Sequence, residues 1–184
     1  MRKDFGSKTW ICPMPVLIIG SYNEDGSPNA MNAAWGGTWD YNQIFLCLSE
    51  NHATTKNILK NKEFTVSFAD SKHVSQADYV GIVPYSQEHK KIEKSGLTPT
   101  RSKFVNAPIF EEFPLTLECK LVENKDGIIV GQIINVSADE KVLKNDGNID
   151  VSKLNLITYD PIENTYIELG QKVGNAFKEG LRLK

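Results

Sequence analysis

Pro114–Val122 (PLTLECKLV) and Gly127–Val136 (GIIVGQIINV), joined by Glu123-Asn124-Lys125-Asp126, decide the fold. Both arms are rich in β-branched and aliphatic residues, and the Asp126-Gly127 pair tolerates the positive φ angles of a tight turn, so the stretch predicts an antiparallel hairpin. Working outward, Val16–Tyr22 runs into Asn23-Glu24-Asp25-Gly26-Ser27, which predicts a second hairpin with its return limb over Pro28–Trp39. That limb is crowded with Ala30, Ala33, Ala34, Gly36 and Gly37, which pack a sheet poorly by themselves, so something should fill the space they leave. Gln43–Ser49 (QIFLCLS) reads as a strand buried on both faces with Cys47 packed inside it, and Glu63–Ala69 (EFTVSFA) as an alternating strand.

Further strands are expected at Leu154–Tyr159 and Tyr166–Leu169, separated by the Asp160-Pro161 turn. Two helical regions interrupt the pattern. Thr54 or Thr55 offers a hydroxyl N-cap ahead of Lys56-Asn57-Ile58-Leu59, and Lys72–Gly96 mixes short helical patterns with the breakers Gly81, Pro84 and Gly96. Short strands at close spacing with a few helices predict a mainly β protein, an antiparallel barrel with helical insertions. At 184 residues, one domain over 1–184 is expected.

With 40% hydrophobic and 24% charged residues the chain reads as a packed globular protein. A formal net charge of -2 gives no electrostatic reason to expect nucleic acid, which selects surfaces with an excess of Lys and Arg. The basic start Met1-Arg2-Lys3 has no long apolar run behind it, so neither secretion nor membrane insertion is expected. Three widely spaced cysteines, Cys12, Cys47 and Cys119, form neither a zinc pair nor a disulfide framework, and fit a reducing cytoplasm.

GxSxG, HExxH, Walker and strand-following GxGxxG signatures are absent. His52, His73 and His89 do not share metal-ligand spacing, so no metal centre is expected. No residue earns a catalytic assignment.

Two segments suit a mononucleotide. In Ser49-Glu50-Asn51-His52-Ala53-Thr54-Thr55-Lys56, hydroxyls, an imidazole and a lysine gather where a strand hands over to a helix, and free amides at a helix start favour an anion. Taken alone, the octet favours helix capping by Thr54 or Thr55, with His52 and Lys56 solvated, because capping is the usual role of threonine there. In Asn29-Ala30-Met31-Asn32-Ala33-Ala34-Trp35-Gly36-Gly37, small side chains let a planar ring approach the main chain with Trp35 as a wall. A core tryptophan flanked by small residues is the competing explanation.

Taken in order, these segments resemble the flavin reductase-like family, the FMN-binding split barrels. Cys12-Pro13-Met14-Pro15-Val16 is similar to the family's Tyr-Pro-x-Pro-Val opening, with Cys12 in place of tyrosine. Asp25-Gly26-Ser27-Pro28-Asn29-Ala30-Met31-Asn32-Ala33-Ala34-Trp35-Gly36 follows its DGxPNAMxASWG stretch, and His52-Ala53-Thr54-Thr55 falls where many members have Arg-Tyr-Thr-His. Gly81-Ile82-Val83, Lys91–Thr98, Ala107-Pro108-Ile109, Leu117-Glu118-Cys119-Lys120 and Val130-Gly131-Gln132-Ile133 resemble its GIVSG, DKFEKAGLT, APL, LECK and VGEV elements. Between the first two, Pro84-Tyr85 replaces Ser-Gly.

The resemblance implies an antiparallel split barrel holding FMN, with Asn32, Ala33, Ala34 and Trp35 lining the isoalloxazine. It implies that Ser49, His52, Thr54 and Thr55 hold the phosphate, which Lys91 also reaches. It further implies a homodimer with the flavin near the subunit boundary, and an oxidoreductase using NADH or NADPH to reduce a flavin. The alternative is a flavoredoxin-like carrier passing electrons to a protein partner. Either way the flavin supplies the redox chemistry while the protein orients it.

Overall fold

The two hairpins supply two of the six strand pairings in one curled antiparallel sheet. In the computed structural model, which describes residues 1–184, the strands are β1 (Met14–Pro15), β2 (Leu17–Tyr22), β3 (Pro28–Ala33), β4 (Gly36–Asp40), β5 (Gln43–Cys47) and β6 (Glu63–Phe68). They continue with β7 (Pro99–Arg101), β8 (Pro108–Phe110), β9 (Leu115–Lys125), β10 (Ile128–Ala138), β11 (Ile157–Asp160) and β12 (Thr165–Glu168). The helices are α1 (Ala53–Asn61), α2 (Val74–Ile82) and α3 (Lys91–Ser95).

The main sheet runs β3-β2-β6-β9-β10-β5-β4, with β1-β11-β12 as a second sheet and β7-β8 as a short ribbon. The β9–β10 hairpin turns on Asp126 and Gly127, both at positive φ (53° and 80°), and its strands extend further than their apolar cores alone predict. β3 and β4 lie at opposite edges of the sheet although only Ala34 and Trp35 separate them, so the sheet must curl to bring its edges together. Gly36 sits at that closure: a Cβ there would lie 2.9 Å from both Leu17 Cδ1 and Leu46 Cδ2. The result is a half-barrel with helices inserted between its strands, a split barrel as the family resemblance implies.

Side chains of a strand alternate between faces, and β2 shows both faces buried. Leu17 and Ile19 join Ile44, Leu46, Phe64, Val66 and Ile129 in one core, while Ile18 joins Val80, Ile92, Phe110 and Ile157 in another, under α2 and α3. β2 and, beside it, β6 are therefore buried on both faces, and β5 is not. Along β5 only Ile44 and Leu46 are buried, whereas Phe45 is half-buried and Cys47 is exposed. β5 lies one strand from the sheet edge with no helix over its second face, which corrects the packed placement expected for Cys47. No helix is long and apolar enough to cross a membrane.

Candidate functional site

The crossing from β3 to β4 is where the site begins. Asn32, Ala33, Ala34 and Trp35 line a cavity of about 300 Å³ together with Met31, Cys47 and Leu48. Its other wall comes from α2 (Asp78, Gly81, Ile82) and the second sheet (Tyr159, Tyr166). We call this the aromatic limb, because Trp35 lies 6.4 Å from Tyr159, and Tyr159 6.2 Å from Tyr166, centroid to centroid. Trp35 is 51% exposed, so the core-tryptophan explanation fails.

A second cavity of about 590 Å³ shares Met31, Asn32, His52, Gly81 and Ile82 with the first, which makes the two limbs one cleft. This polar limb adds Asn29, Thr54, Lys56, Tyr85, His89 and Lys91. Its floor is the start of α1. His52 takes the N-cap position, and no side chain caps the helix, so the amides of its first turn are left to a ligand or to water. Neither Thr54 nor Thr55 is the cap. Both lie within the first turn, where Thr54 is buried and accepts a hydrogen bond from Asn29 Nδ2 at 2.8 Å, an earlier strand's claim on its hydroxyl that removes it from the capping role.

Two buried groups in this limb lack the partners that burial normally demands. Asn29, 1% exposed, leaves its Oδ1 without a hydrogen bond. Turning that amide over would let Oδ1 accept from the Thr54 hydroxyl and put Nδ2 in the vacant direction, so the pair can present a donor to an anion. Lys91, 3% exposed, donates to the Val80 carbonyl at 3.0 Å and forms no ion pair with any carboxylate of the chain. Burial pushes its ammonium down to about 8, because a charged group in a poorly solvated place favours its neutral form. An anion in the limb would restore that charge and satisfy both orphans.

Seven of the nine residues singled out from sequence, Asn32, Ala33, Ala34, Trp35, His52, Thr54 and Lys91, thus line one cleft. Ser49 and Thr55 do not. Ser49 is exposed before α1 and accepts the Asn51 amide at 3.4 Å, and Thr55 is buried outside the cleft with its hydroxyl unpartnered. Sequence reading passed over Asn29, Asp78, Tyr159 and Tyr166. Asn29 lay inside a quoted segment, and its signal was a buried amide at the start of a strand facing a threonine-rich helix. The tyrosines had no local signal, because only the pairing of β11 with β12 and with β1 carries them to the cleft.

The family model described as the flavin reductase like domain matches residues 9–158, which include both limbs except Tyr159 and Tyr166. The chain belongs to the flavin reductase-like family. The flavoredoxin of Desulfovibrio vulgaris (Miyazaki F) is 32% identical and superposes with a TM-score of 0.93 over 98% of this chain and 100% of that one. The flavoredoxin from Methanosarcina acetivorans is 27% identical, with a TM-score of 0.89 over the whole of both chains. A protein from Aquifex aeolicus (strain VF5) is 26% identical over 154 residues, 78% of each chain. This flavin reductase-like protein is therefore a member of a flavin-binding oxidoreductase family. Its cleft fits such a ligand: the aromatic limb sets Trp35 and Tyr159 beside the small Ala33 and Ala34, and the polar limb holds an unpaired cation and an orphaned amide.

Proposed function

We propose that this flavin reductase-like chain acts as one domain that holds FMN non-covalently across both limbs and reduces a flavin or small acceptor with NADH or NADPH. The observation that carries this reading is the buried, unpaired Lys91 opposite an uncapped helix start, joined by a continuous cleft to a slot lined by Asn32, Ala33, Ala34 and Trp35. When bound, a flavin supplies two-electron redox chemistry and can pass electrons on singly or in pairs.

The chain's own contribution is binding and placement. The Lys91 ammonium, the one hydrogen that the Asn29–Thr54 pair presents, the first amides of α1 and the His52 side chain would hold the phosphate, with charge-assisted hydrogen bonds as the strongest contacts. Asn32, Ala33 and Ala34 would bring backbone groups against the ring edge, and Trp35 with Tyr159 would shield the slot from water. Exposed Trp39 and Tyr41, close along the chain to Trp35, leave apolar surface that supports a homodimer with the cleft near its boundary.

A second reading, an electron carrier with little turnover of its own, is favoured by the two flavoredoxins, which align with nearly all of this chain. Stopped-flow mixing separates the two. Rapid, repeated bleaching of bound flavin by NADH or NADPH supports the reductase, and bleaching only by a reduced protein partner supports the carrier. The cofactor itself is tested by the visible spectrum of the purified protein. A yellow preparation that releases FMN on denaturation is expected, and a colourless apoprotein that FMN does not stabilise would overturn the proposal.

A further inference from the structure

Three side chains of the aromatic limb form a hydrogen-bond chain whose direction is forced at every step. Asn32 Nδ2 donates to the Ala77 carbonyl at 3.1 Å and to the Tyr166 hydroxyl at 3.2 Å. Tyr166 in turn donates its hydroxyl hydrogen to Asp78 Oδ1 at 2.8 Å. A backbone carbonyl can only accept, so the Asn32 amide cannot be turned over without setting two oxygens against each other. A carboxylate likewise only accepts, so the one hydroxyl hydrogen of Tyr166 is committed to Asp78 and its oxygen faces Asn32 as an acceptor. Both amide hydrogens of Asn32 are thereby used, and its Oδ1, which accepts from nothing in the chain, is the polar atom left for a ligand.

The chain is also held mechanically. Asn32 lies on β3 and Asp78 and Ala77 on α2, and these elements approach so closely at Gly81 that a Cβ there would lie 2.9 Å from Asn32 Cβ. Burial and the hydrogen bond to Asp78 push Tyr166 up to about 12, so it stays a neutral hydroxyl and does not serve as a proton source at ordinary pH. Asn32 lines both limbs, at the point where they join.

We infer that Asp78 and Tyr166 are positioning residues that lock Asn32 so that the cleft presents a fixed hydrogen-bond acceptor to an N–H on the edge of the bound ring. This rests on the flavin reading above and adds a polarity to it: the ligand must offer a donor at this place. An isoalloxazine carries such an N–H in its pyrimidine portion and gains another on reduction. Ligands with only acceptors along that edge are disfavoured.

The test is a double-mutant cycle on the full-length apoprotein, read by FMN titration and by the midpoint potential of the bound flavin. Tyr166→Phe keeps the ring and removes only the hydroxyl, and it is expected to weaken FMN binding about five- to tenfold, the scale of one net hydrogen bond. In an Asn32→Ala background the same change should cost less than about twofold, since nothing remains to be positioned. The two single variants should shift the potential in the same direction. In the free wild-type protein the Asn32 side-chain amide protons should exchange slowly with solvent, and Tyr166→Phe should release them.

Non-additive losses with slow amide exchange support the relay. If wild type binds FMN but Tyr166→Phe stays within twofold of it, or the two losses simply add, the relay is overturned while the flavin reading stands. Wild-type apoprotein that ignores FMN overturns both.

Discussion

The polar limb of the cleft is built from three runs, Asn29–Asn32, Asn51–Lys56 and Val80–Lys91, whereas the aromatic limb also needs β11 and β12 and joins side chains 134 positions apart in sequence. The difference follows from what each limb has to present. A helix start concentrates donors locally, because its first amides have no intrahelical partners. A planar slot needs walls that face each other, and only tertiary pairing can set two walls opposite one another. Lys91, which arrives from α3, supplies the buried charge of the polar limb.

That contrast predicts which changes matter most. Replacing Lys91 by Met removes the buried charge while keeping an apolar stem, and FMN affinity should fall about ten- to a hundredfold, as for loss of a hydrogen bond to a charged group. Apoprotein stability, measured by urea unfolding, should not fall with it, because an unpaired buried charge is itself unfavourable. A parallel loss of stability would show that Lys91 is structural.

Acidity tests the same group without mutation. FMN affinity should drop as pH rises through about 8, where the depressed ammonium of Lys91 loses its proton, with a limiting slope near tenfold per pH unit. Folding linkage runs the other way. Between about 8 and the ordinary lysine value the unfolded chain binds the proton that the folded apoprotein has released, so this group's contribution to stability rises with pH. Titration calorimetry of wild type and Lys91→Met across that range should show the pH dependence of binding in the first and not in the second.

Smaller effects separate neighbours within the polar run. Thr54→Val should lower FMN affinity about fivefold, the cost of one hydroxyl contact, whereas Ser49→Ala should change it less than about twofold. Equal losses at the two positions would place the phosphate further toward the end of β5 than the cleft allows.

The fold was legible in sequence because its decisive elements are local. Asp126-Gly127 and Asp25-Gly26 mark their turns by residue type, and Glu63–Phe68 forms its strand as expected, although Phe64 to Ser67 are all buried rather than alternating. β5 misled because its composition is apolar while its place near the sheet edge leaves Phe45 and Cys47 uncovered. The cap at α1 misled because the helix starts earlier than expected: His52 stands at the N-cap, which puts Thr54 and Thr55 inside the first turn, where Asn29 of β3 donates to the Thr54 hydroxyl. Asp78 and Tyr166 carried no motif at all, since their meaning lies in a contact between residues 88 positions apart.

The central claim is that one cleft reads a tricyclic ring at one end and an anionic tail at the other. Titrating apoprotein with FMN and with riboflavin, which has the same ring and no phosphate, tests it most directly. FMN should bind at least about tenfold more tightly, in keeping with a charge-assisted contact, and the gap should close in Lys91→Met. Equal affinity for the two flavins in the wild-type protein would contradict the account.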